Sequence, residues 1–275
     1  MHPIVSTEWL SLHLHDPNLV IVDVRWQHGL PLAGYSNYLS GRISGAVFLD
    51  LDADLSDRSK LRRGRHPLPQ PARFVETLAR VGIGRDSTVV AYDDVTGSHA
   101  ARLWWMLKWI RHENVAVLDG GITKWIAEGR ELVQGEPPQI QSARNPIVPV
   151  ERTEMVAELS EIEDHNRRFL LIDARAGERF RGEVEPIDAR AGHIPNAINA
   201  PYMDNLTTDP VPVFRSPAEL RLRFEEVGVR DGTDVVCYCG SGVTACHDII
   251  ALEIAGFSHS RLFPGSWSEW IANFL

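Results

Sequence analysis

Cys239 is the residue of this chain whose type and position most favour chemistry. It follows the apolar run 235–238, which predicts a short buried strand, and it precedes a small-residue loop and a helical pattern. Unpaired backbone N–H groups of the loop converge at such a position, and the helix dipole adds partial positive charge. Both effects favour a thiolate over a thiol, so we expect Cys239 to have a lowered pKa and to act as a nucleophile.

The residues that follow the cysteine suit a loop that wraps around an anion. Gly240 and Gly242 allow the backbone to curl around the sulfur, which side chains with a Cβ atom would resist. Ser241 adds a hydroxyl donor between them. The loop therefore predicts a site for a negatively charged sulfur.

An inert core cysteine is the alternative, because free cysteine is among the most buried residue types. Cys237, inside the apolar strand, and Cys246, early in the helix, fit that interpretation better than Cys239 does. The three cysteines do not form a disulfide framework in a chain of 275 residues, and their spacing is not a zinc pattern. No spacing in the sequence implies a metal or an organic cofactor.

Composition limits the classes of partner. The formal net charge of -9 argues against general nucleic-acid binding, since that function needs a basic face. No apolar run approaches the roughly 18 residues of a membrane span, and residues 1–10 lack the pattern of a signal peptide. We therefore expect a cytoplasmic protein with no membrane partner, in a reducing compartment that suits a working thiolate.

The chain resembles itself at an offset of about 145 to 151 residues, which indicates two similar domains in tandem. We place these domains at residues 1–133 and 150–275, with a proline-containing linker at 134–149. Cys239 aligns with Asp93, so the first domain keeps the framework but lacks the nucleophile. The matching segments are 21–25 with 171–175, 41–46 with 192–197, 82–86 with 228–231, 89–93 with 235–239, and 120–125 with 265–270.

Each half alternates short β-branched runs with helical patterns, which predicts an α/β fold with a mostly parallel sheet flanked by helices. Ligands of such folds bind beyond the carboxyl ends of strands, where Cys239 lies. The predicted strands are 20–24, 46–48, 89–92, 115–118, 170–173, 197–199, 235–238 and a run near 261–263. The predicted helices include 71–81, 100–109, 217–227 and 243–255.

Taken together, these features resemble the rhodanese superfamily over nearly the whole chain. The resemblance rests on tandem α/β domains, a reactive cysteine in the second domain alone, and the loop Cys-Gly-Ser-Gly-Val-Thr at 239–244. The turn at 192–195 and the segments 119–121 and 264–267, which close the two domains, also match. Within the superfamily, the chain is similar to the 3-mercaptopyruvate sulfurtransferases, because small uncharged residues follow the cysteine where thiosulfate-using relatives typically carry basic residues.

The resemblance implies a double-displacement reaction. The Cys239 thiolate attacks the sulfur of 3-mercaptopyruvate, which gives a Cys239 persulfide and pyruvate. A small thiol, thioredoxin or cyanide then takes the outer sulfur. The loop N–H groups of Gly240, Gly242, Val243 and Thr244 would contact the substrate and hold the persulfide anion.

The resemblance also implies a proton relay and a substrate arginine. Ser241 matches a loop serine proposed to relay protons to the thiol, His66 matches a first-domain histidine that works with it, and Asp52 matches the acidic partner of that histidine. Arg179 matches the family's first substrate arginine, which would bind the donor carboxylate. The plainer alternatives are a structural histidine, an aspartate in the solvated acidic run 50–57 and a surface arginine.

The chain departs from the family pattern where a second substrate arginine is common. Residues 185–188 read Glu-Pro-Ile-Asp there, and Arg190 and Arg181 are the candidates to substitute. This departure keeps thiosulfate open as the donor, with the same persulfide intermediate. A non-catalytic sulfur carrier is a weaker alternative. A phosphatase of the same fold is disfavoured, because its Cys-x5-Arg pattern needs an arginine where this chain has Ala245.

Overall fold

A computed structural model of the chain describes residues 1–94, 96–164, 166 and 168–274. The chain divides into two compact units, and the domain boundaries expected from the repeat stay a prediction. Among the described residues, no helix is long and apolar enough to cross a membrane. The first unit contains Met1–Asp57, Pro69–Arg152 and Thr208–Val213, and the second contains Arg58–Leu68, Thr153–Thr207 and Phe214–Leu275.

The described part of the first unit is built on a parallel sheet. Its strands are β1 (Ile4–Val5), β2 (Leu19–Asp23), β3 (Val47–Phe48), β4 (Thr88–Tyr92) and β5 (Val115–Leu118). Their spatial order is β1-β5-β4-β2-β3, and each neighbouring pair is parallel. Strand β4 is central and almost wholly apolar, as expected for a sheet that is covered on both faces.

The helices that flank this sheet are α1 (Thr7–His13), α2 (Ala33–Ser40), α3 (Pro71–Arg80), α4 (Ser98–Trp109) and α5 (Gly121–Ala127). Helix α3 begins with Pro71, whose fixed φ suits the first helical position and whose missing N–H costs nothing there. Helix α4 buries Trp104 and Trp105 completely or nearly so. These large side chains make the α4 face a main part of the apolar core of this unit.

The second unit repeats the arrangement on a smaller sheet. Its strands in the described residues are β6 (Leu170–Asp173), β7 (Ile198–Asn199), β8 (Val235–Tyr238) and β9 (Ser260–Leu262). They are parallel and lie in the order β7-β6-β8-β9. All four residues of β8 are buried, so its carboxyl end delivers the next residue, Cys239, to the edge of the core.

The helices of this unit are α6 (Leu159–Glu163), α7 (Gly177–Phe180), α8 (Pro217–Glu226), α9 (Ala245–Ile254) and α10 (Ser266–Phe274). Helix α8 starts with a capping box, in which Ser216 and Glu219 each accept from the other's backbone N–H. One cluster of its apolar core includes Val236 of β8 and Trp267 of α10, and α8 and α9 bury further apolar residues such as Leu220 and Ile250.

A buried ion pair recurs at the end of the first long strand of each unit. Arg25 donates to Asp23 at 2.6 Å after β2, and Arg175 donates to Asp173 at the same distance after β6. Both aspartates are fully buried, and a buried charge is tolerated only when it is paired. The repeat in the sequence is thus also a repeat of internal polar contacts.

The predicted α/β class is confirmed, and most predicted elements agree with the structure to within one or two residues. The strands predicted at 115–118, 170–173 and 235–238 have those bounds. Strand β1 was not predicted, because two residues are too few to show a period. Residues 134–149 contain no helix or strand.

Candidate active site

Cys239 is the first residue after strand β8, and the loop that it begins leads into α9 at Ala245. The Gly242 N–H points at the cysteine, with 3.1 Å between the nitrogen and Sγ. Only 2% of Cys239 is exposed. A nearly enclosed sulfur that receives a main-chain N–H is well placed to be held as an anion, because charges interact more strongly away from bulk water.

The start of α10 fixes the backbone of this loop. The Cys239 N–H donates to Ser266 Oγ at 3.0 Å, and the Cys239 carbonyl accepts from the Trp267 N–H at 3.0 Å. The Gly240 carbonyl accepts from the Ser268 N–H at the same distance. Because the consecutive peptide groups of Cys239 and Gly240 are anchored on one helix, the backbone that carries the sulfur is held in place.

Ser266 is a residue of this site that the sequence did not single out. Its φ is 55°, in the left-handed region that favours glycine, and the aligned residue of the first unit is Gly121, also with φ 55°. A serine in this conformation costs roughly 1–2 kcal/mol. Its Oγ accepts from Cys239 and donates to the Phe263 carbonyl at 2.9 Å. The sequence did contain a sign of this role, because serine at position 266 stands where the first half of the repeat has glycine.

The corresponding loop of the first unit already holds an anion. Asp93 follows β4 as Cys239 follows β8, and it is 1% exposed. Its carboxylate accepts from the N–H groups of Gly97, His99 and Ala100 at 2.8, 2.9 and 3.1 Å. Gly97 lies in the loop, and His99 and Ala100 lie in the first turn of α4, so the carboxyl end of β4 presents N–H groups to a negative side chain.

Two positions of the loop, Gly240 and Gly242, leave little or no room for a Cβ atom, each for a different reason. Gly242 has φ +75°, and a Cβ atom there would lie 2.3 Å from the Pro264 carbonyl oxygen. A Cβ atom on Gly240 would lie 2.7 Å from Nη2 of Arg65. The positive φ and the nearby Pro264 carbonyl therefore exclude a side chain at Gly242. At Gly240, a side chain would require the Arg65 guanidinium group to move. The roles predicted for the amides of Gly240, Val243 and Thr244 stay predictions.

Ser241 and His66, which the resemblance associates, lie within hydrogen-bonding distance of each other. Ser241 Oγ is 2.8 Å from His66 Nδ1, and the histidine tautomer decides which of the two atoms donates. Each residue is 6% exposed. The pair can therefore pass a proton beside the cysteine, out of contact with bulk water.

Residues 58–68 bring His66 into the second unit by contacts with α10. The Arg65 N–H donates to Ser268 Oγ at 3.1 Å, and Arg62 donates to the Ala272 carbonyl at 2.6 Å. Arg63 forms an ion pair with the buried Glu269 at 3.3 Å. This stretch was not predicted to belong with the catalytic half, because contacts so distant in sequence leave no local pattern.

Asp52, the predicted acidic partner of His66, lies in the first unit. Its Oδ2 accepts from the Trp26 indole N–H at 3.2 Å, and its own N–H donates to Asp50 Oδ1 at 2.9 Å. The residue is partly buried within the acidic loop. A role for Asp52 in orienting His66 stays a prediction.

Arg179 belongs to a group of alternating charges beside the loop. Its Nη2 donates to Glu185 at 2.6 Å and to Asp188 at 3.3 Å. Arg175 forms an ion pair with Glu185 at 3.3 Å, and Arg65 pairs with Asp188. Burial lowers the pKa of the Arg65 guanidinium from its ordinary value, and interaction with Cys239 opposes that shift. The site thus contains cationic groups that can bind an anionic donor.

The guanidinium group that lies with Arg179 beside Gly240 comes from Arg65, which the sequence did not single out. Of the two residues considered as substitutes, Arg181 is exposed and pairs with Glu183, and Arg190 is also exposed. The sequence offered one sign that Arg65 belongs to the site, since it directly precedes His66. Ala245, at the position of a phosphatase arginine, is fully buried and carries no charge.

Comparison with known proteins decides the family. The model of the rhodanese-like domain matches residues 6–128 and again residues 155–273. The chain belongs to the rhodanese family. The family predicted from the sequence is confirmed, and both halves of the chain carry a rhodanese-like domain.

Two curated relatives of this rhodanese chain carry provisional names. A Pseudomonas aeruginosa protein named as a probable 3-mercaptopyruvate sulfurtransferase is 42% identical, over 98% of this chain and 95% of the relative. A Mycobacterium tuberculosis protein, provisionally named thiosulfate sulfurtransferase SseB, is 41% identical over 91% of this chain and 87% of the relative. The structure of a 3-mercaptopyruvate sulfurtransferase from Leishmania major matches with a TM-score of 0.88 and 32% identity, over 98% of this chain and 74% of that one. These relatives support the predicted class, a sulfurtransferase enzyme.

The described site of this rhodanese chain brings together groups of several chemical types. Cys239 receives a main-chain N–H, Ser241 of the same loop pairs with His66, and two arginines lie beside Gly240. A thiolate can attack a sulfur atom, the pair can move a proton, and the arginines can bind a carboxylate.

Proposed function

We propose that the chain takes the sulfur atom of 3-mercaptopyruvate and passes it on as the sulfane sulfur of a persulfide on Cys239. The observation that carries the proposal is the 3.1 Å contact from the Gly242 N–H to Cys239 Sγ. In the first unit, the Asp93 carboxylate accepts from one loop N–H and from two N–H groups of the first turn of α4, which supports the end of this strand as a place that holds an anion. Both half-reactions need sulfur as an anion, either as thiolate or as persulfide.

In the first half-reaction, the Cys239 thiolate attacks the sulfur of 3-mercaptopyruvate. A bond forms between Sγ and that sulfur, while the carbon–sulfur bond of the donor breaks. The electron pair of the broken bond leaves as the enolate of pyruvate. The persulfide remains on the cysteine, and protonation of the enolate carbon gives pyruvate.

Ser241 and His66 are proposed to handle the protons of this step. Their 2.8 Å contact lets one atom give up a proton while the other replaces it. Ser241 lies in the same loop as the sulfur and His66 contacts it, so the enolate is protonated where it forms. The proposed part of Asp52 as the acidic partner rests on the family resemblance.

In the second half-reaction, an acceptor nucleophile attacks the outer sulfur of the persulfide. The Cys239 thiolate leaves and is ready for another cycle. A small thiol, thioredoxin, or cyanide in an assay would serve as the acceptor. A reducing compartment such as the cytoplasm suits this chemistry, since it keeps thiols reduced, and the three cysteines are free.

The donor carboxylate is proposed to bind to Arg179 and Arg65. Both guanidinium groups lie within 4 Å of the space beside Gly240. The loop itself carries no basic side chain between Cys239 and Ala245, which favours a donor with one negative group over thiosulfate. The Mycobacterium tuberculosis relative keeps thiosulfate as the second candidate.

The test is a comparison of kcat/KM for the two donors with one acceptor. We expect steady pyruvate release from 3-mercaptopyruvate and a higher kcat/KM for this donor than for thiosulfate. A tenfold advantage for thiosulfate, about 1.4 kcal/mol in transition-state binding, would contradict the choice of donor. A single burst of pyruvate without turnover would instead indicate a sulfur carrier.

A further inference from the structure

The space beside Gly240 is bounded by two cationic groups and one anionic group. From the point where a Cβ atom would stand, Arg65 Nη2 lies at 2.7 Å, Asp188 Oδ2 at 3.6 Å and Arg179 Nη2 at 3.7 Å. Gly240 is joined directly to Cys239. The groups that a donor anion would use next to the sulfur are therefore already paired with a carboxylate of the chain.

Asp188 is held firmly in this position. Its carboxylate pairs with Arg65 through one oxygen and with Arg179 through the other. The Asp188 N–H donates to Glu185 Oε1 at 3.0 Å, and its side chain is only 4% exposed. A carboxylate anchored by both its backbone and its side chain is a built-in counterion, unlike a mobile surface charge.

The charges of this group balance. Arg65, Arg175 and Arg179 face the carboxylates of Asp173, Glu185 and Asp188 through consecutive ion pairs. An incoming monoanion that shares Arg65 and Arg179 with the Asp188 carboxylate adds one negative charge to this balanced group. A dianion adds two, beside the Cys239 sulfur, where the exclusion of water makes repulsion strong.

We propose that Asp188 sets donor specificity by competing with the donor for Arg65 and Arg179. This competition disfavours doubly charged donors such as thiosulfate relative to singly charged keto acids. The inference rests on the proposed function for the identity of the donors. It adds a residue that acts through two arginines, so Asp188 is a positioning residue.

The first test compares Asp188→Asn and Asp188→Ala with the wild type. Loss of the carboxylate frees both arginines, so kcat/KM for thiosulfate should rise about tenfold, while the value for 3-mercaptopyruvate should change less than about threefold. The matched control is Glu183→Gln, which removes the same charge from an exposed pair with Arg181. Equal gains for both donors, or an equal gain in the control, would overturn the proposal.

A binding measurement tests, without turnover, whether Asp188 disfavours doubly charged anions. Sulfate and acetate are compared for protection of Cys239 against alkylation by iodoacetamide, which is uncharged. In the wild type, sulfate should protect no better than acetate, and in Asp188→Asn it should protect at about tenfold lower concentration. Wild-type protection that is tenfold better with sulfate would overturn the proposal, even if neither variant folds. Failure of wild-type turnover with 3-mercaptopyruvate would refute the proposed donor instead, and the protection assay would still test Asp188.

Discussion

At the scale of single residues, Cys239 and Asp93 occupy equivalent positions of the internal repeat but carry different side chains. Both follow a central buried strand, and both receive N–H groups from the loop that they begin. Cys237 and Cys246 differ, because they are completely buried within a strand and a helix. Burial raises the pKa of the Cys237 thiol well above its ordinary value, so that sulfur stays protonated.

The residue-scale prediction concerns these cysteines. Cys239→Ser should lower kcat/KM for pyruvate release by at least about 10³-fold, because serine cannot replace the sulfur nucleophile. Cys237→Ser and Cys246→Ser should keep activity within about tenfold of the wild type. An equal loss in Cys246→Ser, whose Sγ donates to the Gly242 carbonyl at 3.4 Å, would show that the nucleophile was misassigned.

At the scale of elements, the active loop is fixed at both ends. Strand β8 sets where the loop begins, and the first residues of α10 bind its carbonyl and N–H groups. Gly242 has a positive φ, and its Cα lies so close to the Pro264 carbonyl that a Cβ atom would collide with it. The loop is therefore a rigid connection, as precise placement of an N–H on a sulfur requires.

The element-scale prediction uses two glycines with positive φ. Gly242→Ala adds both backbone strain and a 2.3 Å collision, whereas Gly228→Ala adds strain alone, since nothing lies within 4 Å of its Cβ position. Urea unfolding should show that Gly242→Ala loses at least about 1 kcal/mol more stability than Gly228→Ala. Gly242→Ala should also lose activity. Equal stabilities and full activity would mean that the loop is free to rearrange.

The sequence predicted the elements well where a residue pattern is local. The apolar run at 235–238 and the repeat of residues 89–93 at 235–239 were sufficient to place β8 and the residue after it. Helix 243–255 was predicted two residues too early, because the loop continues through Thr244. A loop that ends by turning into a helix has no boundary that periodicity can mark.

The candidate site was predictable only in part. The pattern around Cys239 selected it as the candidate nucleophile, which stays a prediction, and the family resemblance associated Ser241 with His66, which lie 2.8 Å apart. Arg65 and Ser266 were missed because their importance arises from tertiary contacts with Gly240 and Cys239. Single-sequence patterns carry no information on contacts of that kind.

At the scale of the whole molecule, buried carboxyl groups make stability depend on pH. Burial raises the pKa of Glu269 to about 7, and Arg63 partly opposes the shift. Burial also raises the pKa of Asp248 to about 7. In the opposite direction, hydrogen bonding to Lys124 lowers the pKa of Glu128 to about 2.

The whole-molecule prediction concerns Glu269. Its pKa is higher in the folded chain than the ordinary 4.5, so its stabilising contribution is complete below about pH 4.5 and is lost as pH rises to about 7. Glu269→Gln removes this dependence. The stability of this variant relative to the wild type should increase by up to about 3 kcal/mol between those pH values, measured by urea unfolding.

The control for this measurement is Glu183→Gln, since Glu183 is exposed and Arg181 lowers its pKa. Its difference from the wild type should stay nearly constant above pH 4.5. A Glu269→Gln difference that is equally flat would show that the pKa of Glu269 is not raised in the folded chain.

The proposed reaction requires that the sulfur of Cys239 accept a second sulfur atom and pass it on. The most direct measurement is the intact mass of the protein after mixing with 3-mercaptopyruvate and removal of the small molecules. We predict a gain of one sulfur atom, located on Cys239 and removed by an added thiol. An unchanged mass, or a gain located on Cys237 or Cys246, would contradict the account.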